Sequence, residues 1–226
     1  MNLRKSLVGN EIYVHMGRVA PYTKGHEILT NAILKAVNGN RERVIFLIGS
    51  TNVLNDRTPF TPEQRKEMIQ MIWEDIPVHF QKDSNPHAAP EDDAPRHIFG
   101  WIEQVRAIER KAGKKLVLCS GSPEDMEFTG YGESGEIDTP VNLADYFHVH
   151  FPVDRHDEGK GISATQARKA LLSQNQEVIE KALHPDVAAF AHNFLIENVL
   201  IHSHDNTYSS KLIDQVNNFE RSIQMS

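Results

Sequence analysis

Three side chains suited to gripping a phosphate fall within one short stretch: Arg18, Lys24 and His26, in Gly17-Arg18-Val19-Ala20-Pro21-Tyr22-Thr23-Lys24-Gly25-His26. None of them is an obvious nucleophile. The set suits stabilisation of charge on a phosphoryl centre better than covalent catalysis. Gly25 lets a backbone approach closely, and His26 falls in the first turn of the helix that follows. By itself the stretch also reads as a solvated turn before a helix. A second stretch, Gly161-Ile162-Ser163-Ala164-Thr165-Gln166-Ala167-Arg168, repeats the pattern. Ser163 can cap a helix or offer its hydroxyl to an anion, Thr165 can do the latter, and Arg168 lies about one turn on. Two such stretches agree with a triphosphate lying across the edge of a sheet.

The elements that must position them follow from periodicity. Ile12–His15, Val44–Ile48, Val78–Phe80, Leu116–Cys119 and Phe147–Val153 read as strands. Helical spacing brings Ile28, Leu29, Ala32, Ile33 and Ala36 to one apolar face, and Asn38-Gly39-Asn40 stops that helix. Thr61-Pro62-Glu63-Gln64 starts another helix with a capping residue, a proline at the first position and Gln64 three residues after the cap. Its inner face is Met68, Ile69 and Ile72. Further helices are expected over Ile98–Arg110, Ala164–Leu172, Glu177–Ala182 and Val187–Val199. Strands alternating with helices indicate a parallel sheet with helical cover, binding ligands beyond its C-terminal strand ends. The proline- and charge-rich stretch 82–96 reads as a loop. Ser120–Pro140, rich in glycine and acid, reads as a long flexible excursion, and Thr207–Ser226 as a peripheral helix or frayed tail.

The chain has 226 residues and a formal net charge of −7. That length allows a sizeable apolar core. The acidic balance, with no basic run, argues against a nucleic-acid partner. The single cysteine, Cys119, lies in an apolar run and reads as core. No apolar stretch approaches the roughly 20 residues that cross a bilayer, and Met1–Gly9 lacks the apolar region of a secretory signal, so a cytoplasmic protein without a membrane partner is expected. His202 and His204 in a polar stretch are not read as metal ligands.

The first stretch resembles the (H/T)xGH signature of the nucleotidyltransferase superfamily, and Ile162–Arg168 resembles its ISxTxxR partner. Ile48-Gly49-Ser50 and Pro59-Phe60-Thr61-Pro62-Glu63-Gln64-Arg65 are similar to segments of the archaeal-type nicotinamide-mononucleotide adenylyltransferases. The likeness covers roughly residues 12 to 180. It implies an α/β, Rossmann-like parallel sheet flanked by helices, with a nucleotidyltransferase domain over 10–182 and a small helical C-terminal extension over 183–226. It also implies transfer of an adenylyl group from ATP to nicotinamide mononucleotide, giving NAD and pyrophosphate. Thr23 and His26 would contact the ATP phosphates, with Gly17 and Gly25 in the same turn and Arg18 and Lys24 alongside. Ile162, Ser163, Thr165 and Arg168 would hold the departing pyrophosphate. Mg²⁺ would arrive on the triphosphate with no protein metal site, the partners would be small-molecule nucleotides, and a homo-oligomer is expected. Thr23 stands where the commoner form of the signature has a histidine, which leaves more of the work to His26.

For the acceptor, the resemblance implies Trp101, packed on the pyridine ring, and Arg57. The residues before Trp101 and the acidic stretch Gly121–Phe128 depart from the family pattern, and Trp101 also reads as a half-buried core residue. Nicotinate mononucleotide, phosphopantetheine and a sugar phosphate therefore stay open as acceptors. A nucleotide-binding regulator without turnover is the reading from another functional class.

Overall fold

The computed structural model describes residues 11–17, 19–49, 54–56, 58–80, 111, 113–120, 127–131, 137–142, 148–150, 163–201 and 208–224. Five strands form its main sheet: β1 (Glu11–Gly17), β2 (Val44–Ile48), β3 (Val78–Phe80), β4 (Lys115–Ser120) and β7 (His148–His150). Their order is β3-β2-β1-β4-β7, and every neighbouring pair is parallel. The chain builds outward from β1 to β3, then crosses to the other side of β1 for β4. Order therefore reverses between β1 and β4, where a parallel sheet opens a crevice at its C-terminal edge. Gly17, the last residue of β1, lies on that edge, in register with Ile48.

The five residues of β2 are all buried, as expected of a strand covered on both faces. Each such side chain contributes about 1.5–3 kcal/mol relative to exposure. The helices that flank the sheet are α1 (Lys24–Ala36), α2 (Pro62–Gln70), α3 (Ala164–Ser173), α4 (Gln176–Ala182), α5 (Pro185–Ile201) and α6 (Ser210–Gln224). Leu29 and Ile33 are the buried members of the apolar face expected for α1. That helix ends as anticipated: Gly39, at φ +77°, donates its N–H back to the Leu34 carbonyl. The reciprocal cap of α2 is also present. Thr61 N–H donates to Gln64 Oε1 at 2.9 Å and Gln64 N–H to Thr61 Oγ1 at 3.2 Å.

Val187, Ala191, Leu195 and Val199 of α5, with Tyr208 and Val216, join the same buried cluster as Tyr13, Phe46 and Ile48. Asn198 of α5 donates to the Pro59 carbonyl at 2.7 Å and to Gln64 Oε1 at 2.8 Å. Asp56 accepts from the Ser209 N–H and hydroxyl at 2.9 and 2.6 Å. The C-terminal helices thereby hold the segment that leaves β2.

The excursion expected over Ser120–Pro140 is corrected by the structure. It contains β5 (Glu127–Tyr131), paired antiparallel with β6 (Ile137–Asn142). Glycines masked a strand composition carried by Phe128, Thr129, Tyr131, Ile137, Thr139 and Val141. Pro140 is tolerated because a two-stranded ribbon consists of edges. The helix expected over Ile98–Arg110 lies outside the described residues. Cys119 is buried, and burial pushes its thiol pKa well up, as fits a core residue. Among the described residues no helix is long and apolar enough to cross a membrane.

A candidate phosphate site at the strand ends

Helix α1 starts at the crevice, and its cap is unusual. Glu or Gln commonly closes a capping box from the third helical position. Here His26 occupies that position, and its Nδ1 accepts the Thr23 N–H at 3.0 Å. A backbone N–H can only donate, so Nδ1 carries the lone pair and the ring proton sits on Nε2. Thr23 Oγ1, 2.8 Å from the same Nδ1, donates to it as well. The tautomer of His26 is thus set from the protein side, and its N–H donor is Nε2.

Gly17 lies against that nitrogen. A Cβ built on Gly17 would sit 4.0 Å from both Nε2 and Cδ2 of His26. A side chain larger than a methyl at this position would crowd that face of the imidazole.

Behind His26 is a buried polar network that the sequence did not reveal. Thr30, fully buried one turn along α1, donates its hydroxyl to the His26 carbonyl at 3.0 Å. Its one proton being so committed, its oxygen must accept from the Tyr22 hydroxyl at 3.1 Å and from His15 Nδ1 at 2.9 Å. Trp73 Nε1–H then donates to the Tyr22 oxygen at 2.7 Å. Both rings held by Thr30 touch the imidazole: Tyr22 stacks on His26 with centroids 5.4 Å apart, and His15 lies tilted at 5.9 Å. Burial pushes the Tyr22 phenol pKa up and keeps it a neutral donor. The available signal was a threonine on the apolar face of α1 and a histidine inside a buried strand.

The second stretch converges on the first through Arg168. Arg168, 9% exposed, donates from Nη1 to the Ala20 carbonyl and from Nη2 to Thr165 Oγ1 at 3.2 Å. The start of α3 is thereby tied to the turn after β1. Ser163 caps α3: Gln166 N–H donates to its Oγ at 3.2 Å, and its own N–H donates to Gln166 Oε1 at 2.8 Å. The Ser163 hydroxyl proton remains available to a ligand, and Ser163 and Thr165 are exposed. Within the first stretch Val19 adopts φ +53° while buried. A left-handed β-branched residue costs about 1–3 kcal/mol and persists only where its surroundings enforce it.

The structure therefore brings together Gly17, Thr23, Gly25 and His26, with Arg168 and Thr165 joined to the same turn. Lys24 is directed elsewhere: its ammonium donates to the Glu180 carbonyl of α4. Arg65, fully buried, is another residue the sequence did not single out for the site. Its guanidinium packs at Gly49, where a Cβ would lie 3.5 Å from Nη1. Arg18, Arg57, Trp101 and Ile162 lie outside the described residues.

The chain matches no protein-family model and no curated protein sequence. It does resemble solved structures. Nicotinic acid mononucleotide adenylyltransferase of Plasmodium falciparum, complexed with NaAD, aligns over 88% of this chain and 98% of its own at 13% identity, with a TM-score of 0.50. The same protein complexed with APC aligns over 88% and 98% at 14% identity, with a TM-score of 0.44. A NadR protein in complex with NAD and AMP-PNP aligns over 74% of this chain and 44% of its own at 20% identity, with a TM-score of 0.39. The first of these likenesses agrees with the fold: the chain is a Rossmann-like α/β protein, a parallel sheet flanked by helices.

Proposed function

We propose that the protein transfers the adenylyl group of ATP to nicotinamide mononucleotide, giving NAD and pyrophosphate. The observation that carries this reading is His26, in the first turn of α1 at the strand end, whose Nδ1 accepts the Thr23 N–H so that the ring proton sits on Nε2, beside Gly17. A fixed donor at a helix N-terminus suits an anion whose charge grows during reaction.

In this mechanism a phosphate oxygen of the mononucleotide attacks the α-phosphorus of ATP in line. A new phosphorus–oxygen bond forms, the bond to the bridging oxygen of the β-phosphate breaks, and pyrophosphate leaves with the electron pair. The attacking oxygen is already anionic, so no general base is needed. The Nε2–H of His26 binds a non-bridging α-oxygen, and that hydrogen bond strengthens as the phosphorus becomes five-coordinate. Thr23 acts through His26. Ser163, Thr165 and Arg168 hold the β- and γ-phosphates, with Arg18 beside them; Lys24 joins only by leaving Glu180. The donors gathered here are hydroxyls, N–H groups and cations, which suit phosphate oxygens rather than a metal ion. Mg²⁺ is accordingly part of the Mg·ATP co-substrate, carried by triphosphate oxygens and water.

Nicotinate mononucleotide is the second reading, favoured by the fold likeness to an enzyme described as acting on it. The test is pyrophosphate release from Mg·ATP with each mononucleotide, phosphopantetheine and a sugar phosphate, with products identified by mass. NAD formed from nicotinamide mononucleotide at the highest kcat/KM is the expected result. Preference for nicotinate mononucleotide would establish the second reading. ATP binding with no pyrophosphate from any acceptor would overturn both in favour of a silent nucleotide binder.

A further inference from the structure

We infer that Thr30 is the positioning residue of the His26 imidazole, acting through three groups at once. Its catalytic consequence rests on the function proposed above; its structural content does not. One hydroxyl donates to the backbone carbonyl of His26 and accepts from Tyr22 and His15, whose rings both lie against the imidazole. Thr23 sets which ring nitrogen bears the proton. Thr30 sets where the ring stands, by tying its backbone to two neighbours that both precede it in the chain: β1 through His15, the turn through Tyr22. Trp73, beyond α2, extends the tie to a separate element by bonding the Tyr22 hydroxyl.

Thr30 is 0% exposed and His15 and Tyr22 are each 1% exposed, so water has little access to the Thr30 hydroxyl. Once Thr30 donates to His26, both the Tyr22 hydroxyl and His15 Nδ1 must donate to it. A satisfied, closed polar network of this kind specifies one geometry, whereas a breached one admits several. A donor that must meet a developing charge is sensitive to small displacements.

Valine has the shape of threonine without the hydroxyl, so Thr30→Val removes all three bonds while filling the site. Thr30→Ser keeps the hydroxyl. If Thr30→Val folds poorly, Tyr22→Phe provides the second variant, keeping the ring on His26 and removing one arm of the network. Two readouts are taken on each protein: the ¹⁵N shifts of the His26 ring without ligand, and steady-state kinetics with Mg·ATP and the best acceptor. In the wild type the shifts should report an unprotonated Nδ1 and a protonated Nε2. Thr30→Val should give averaged shifts and a roughly tenfold lower kcat, the scale of a displaced catalytic group, with ATP KM nearly unchanged. Tyr22→Phe should fall between, and Thr30→Ser should restore both readouts. Wild-type ring shifts in Thr30→Val would overturn the proposal, as would equal defects in Thr30→Ser and Thr30→Val. Should the wild type turn over no acceptor, the function fails, and the ring shifts of the variants still decide the positioning role.

Discussion

The starts of α1 and α3 use one local device in two different settings. Each opens with a hydroxyl residue, Thr23 or Ser163, and each has a side chain at the third helical position that accepts the capping N–H. At α3 that acceptor is Gln166, and the cap is exposed. At α1 the acceptor is His26, Thr23 is 5% exposed, and a buried network stands behind the ring. The α3 cap therefore stabilises a helix and leaves hydroxyls adaptable toward a mobile, charged ligand. The α1 cap spends its geometry on fixing one donor. Under the proposed function, the contrast places charge stabilisation at α1 and phosphate grip at α3.

The largest expected effect falls on the α1 side. His26→Ala should lower kcat roughly a hundredfold, about 3 kcal/mol, with a smaller change in ATP affinity, because its contact strengthens in the transition state. Near-normal turnover in that variant would dissolve the contrast. Arg168→Ala comes next and tests whether the two starts are independent. Its bonds to Ala20 and Thr165 make it both grip and tie, so ATP binding by calorimetry should weaken by about 1.5–3 kcal/mol and Tm should also fall. An unchanged dissociation constant for ATP would remove it from the site.

Gly17→Ala sharpens the comparison without disturbing the fold. Its new methyl would meet Val19 at 3.7 Å and His26 at 4.0 Å, ordinary contact distances, so Tm should stay close to wild type. The methyl would stand beside Nε2, and kcat/KM for ATP should drop severalfold. Unaltered kinetics would mean that ligands do not approach His26 from the Gly17 side. The smallest effect is expected from Ser163→Ala. Loss of a cap typically costs about 0.5–2 kcal/mol of stability, and a neutral hydroxyl grips phosphate about half as strongly as a guanidinium. A kinetic defect exceeding that of Arg168→Ala would reverse the assignment of grip.

Much of this was legible in the sequence because it is local. The strands β1 to β4, the stop at Gly39, the cap at Thr61 and the start of α3 at Ser163 each depend on residues within about one helical turn or one alternating run. The hairpin β5–β6 was missed because its glycines resemble those of a loop, and strand pairing is decided by a partner rather than by composition.

The sequence by itself determined where two helices start, each with a hydroxyl cap, in an alternating α/β chain. Only tertiary structure decided what those side chains do there. Trp73 reaches Tyr22 across 51 positions, Arg168 reaches Ala20 across 148, and Lys24 turns to Glu180 across 156. Where such pairs are buried, as at Tyr22 and Arg168, water no longer competes and the partners become specific. Periodicity marks which faces are apolar, but it does not say which polar groups the fold will shut in together.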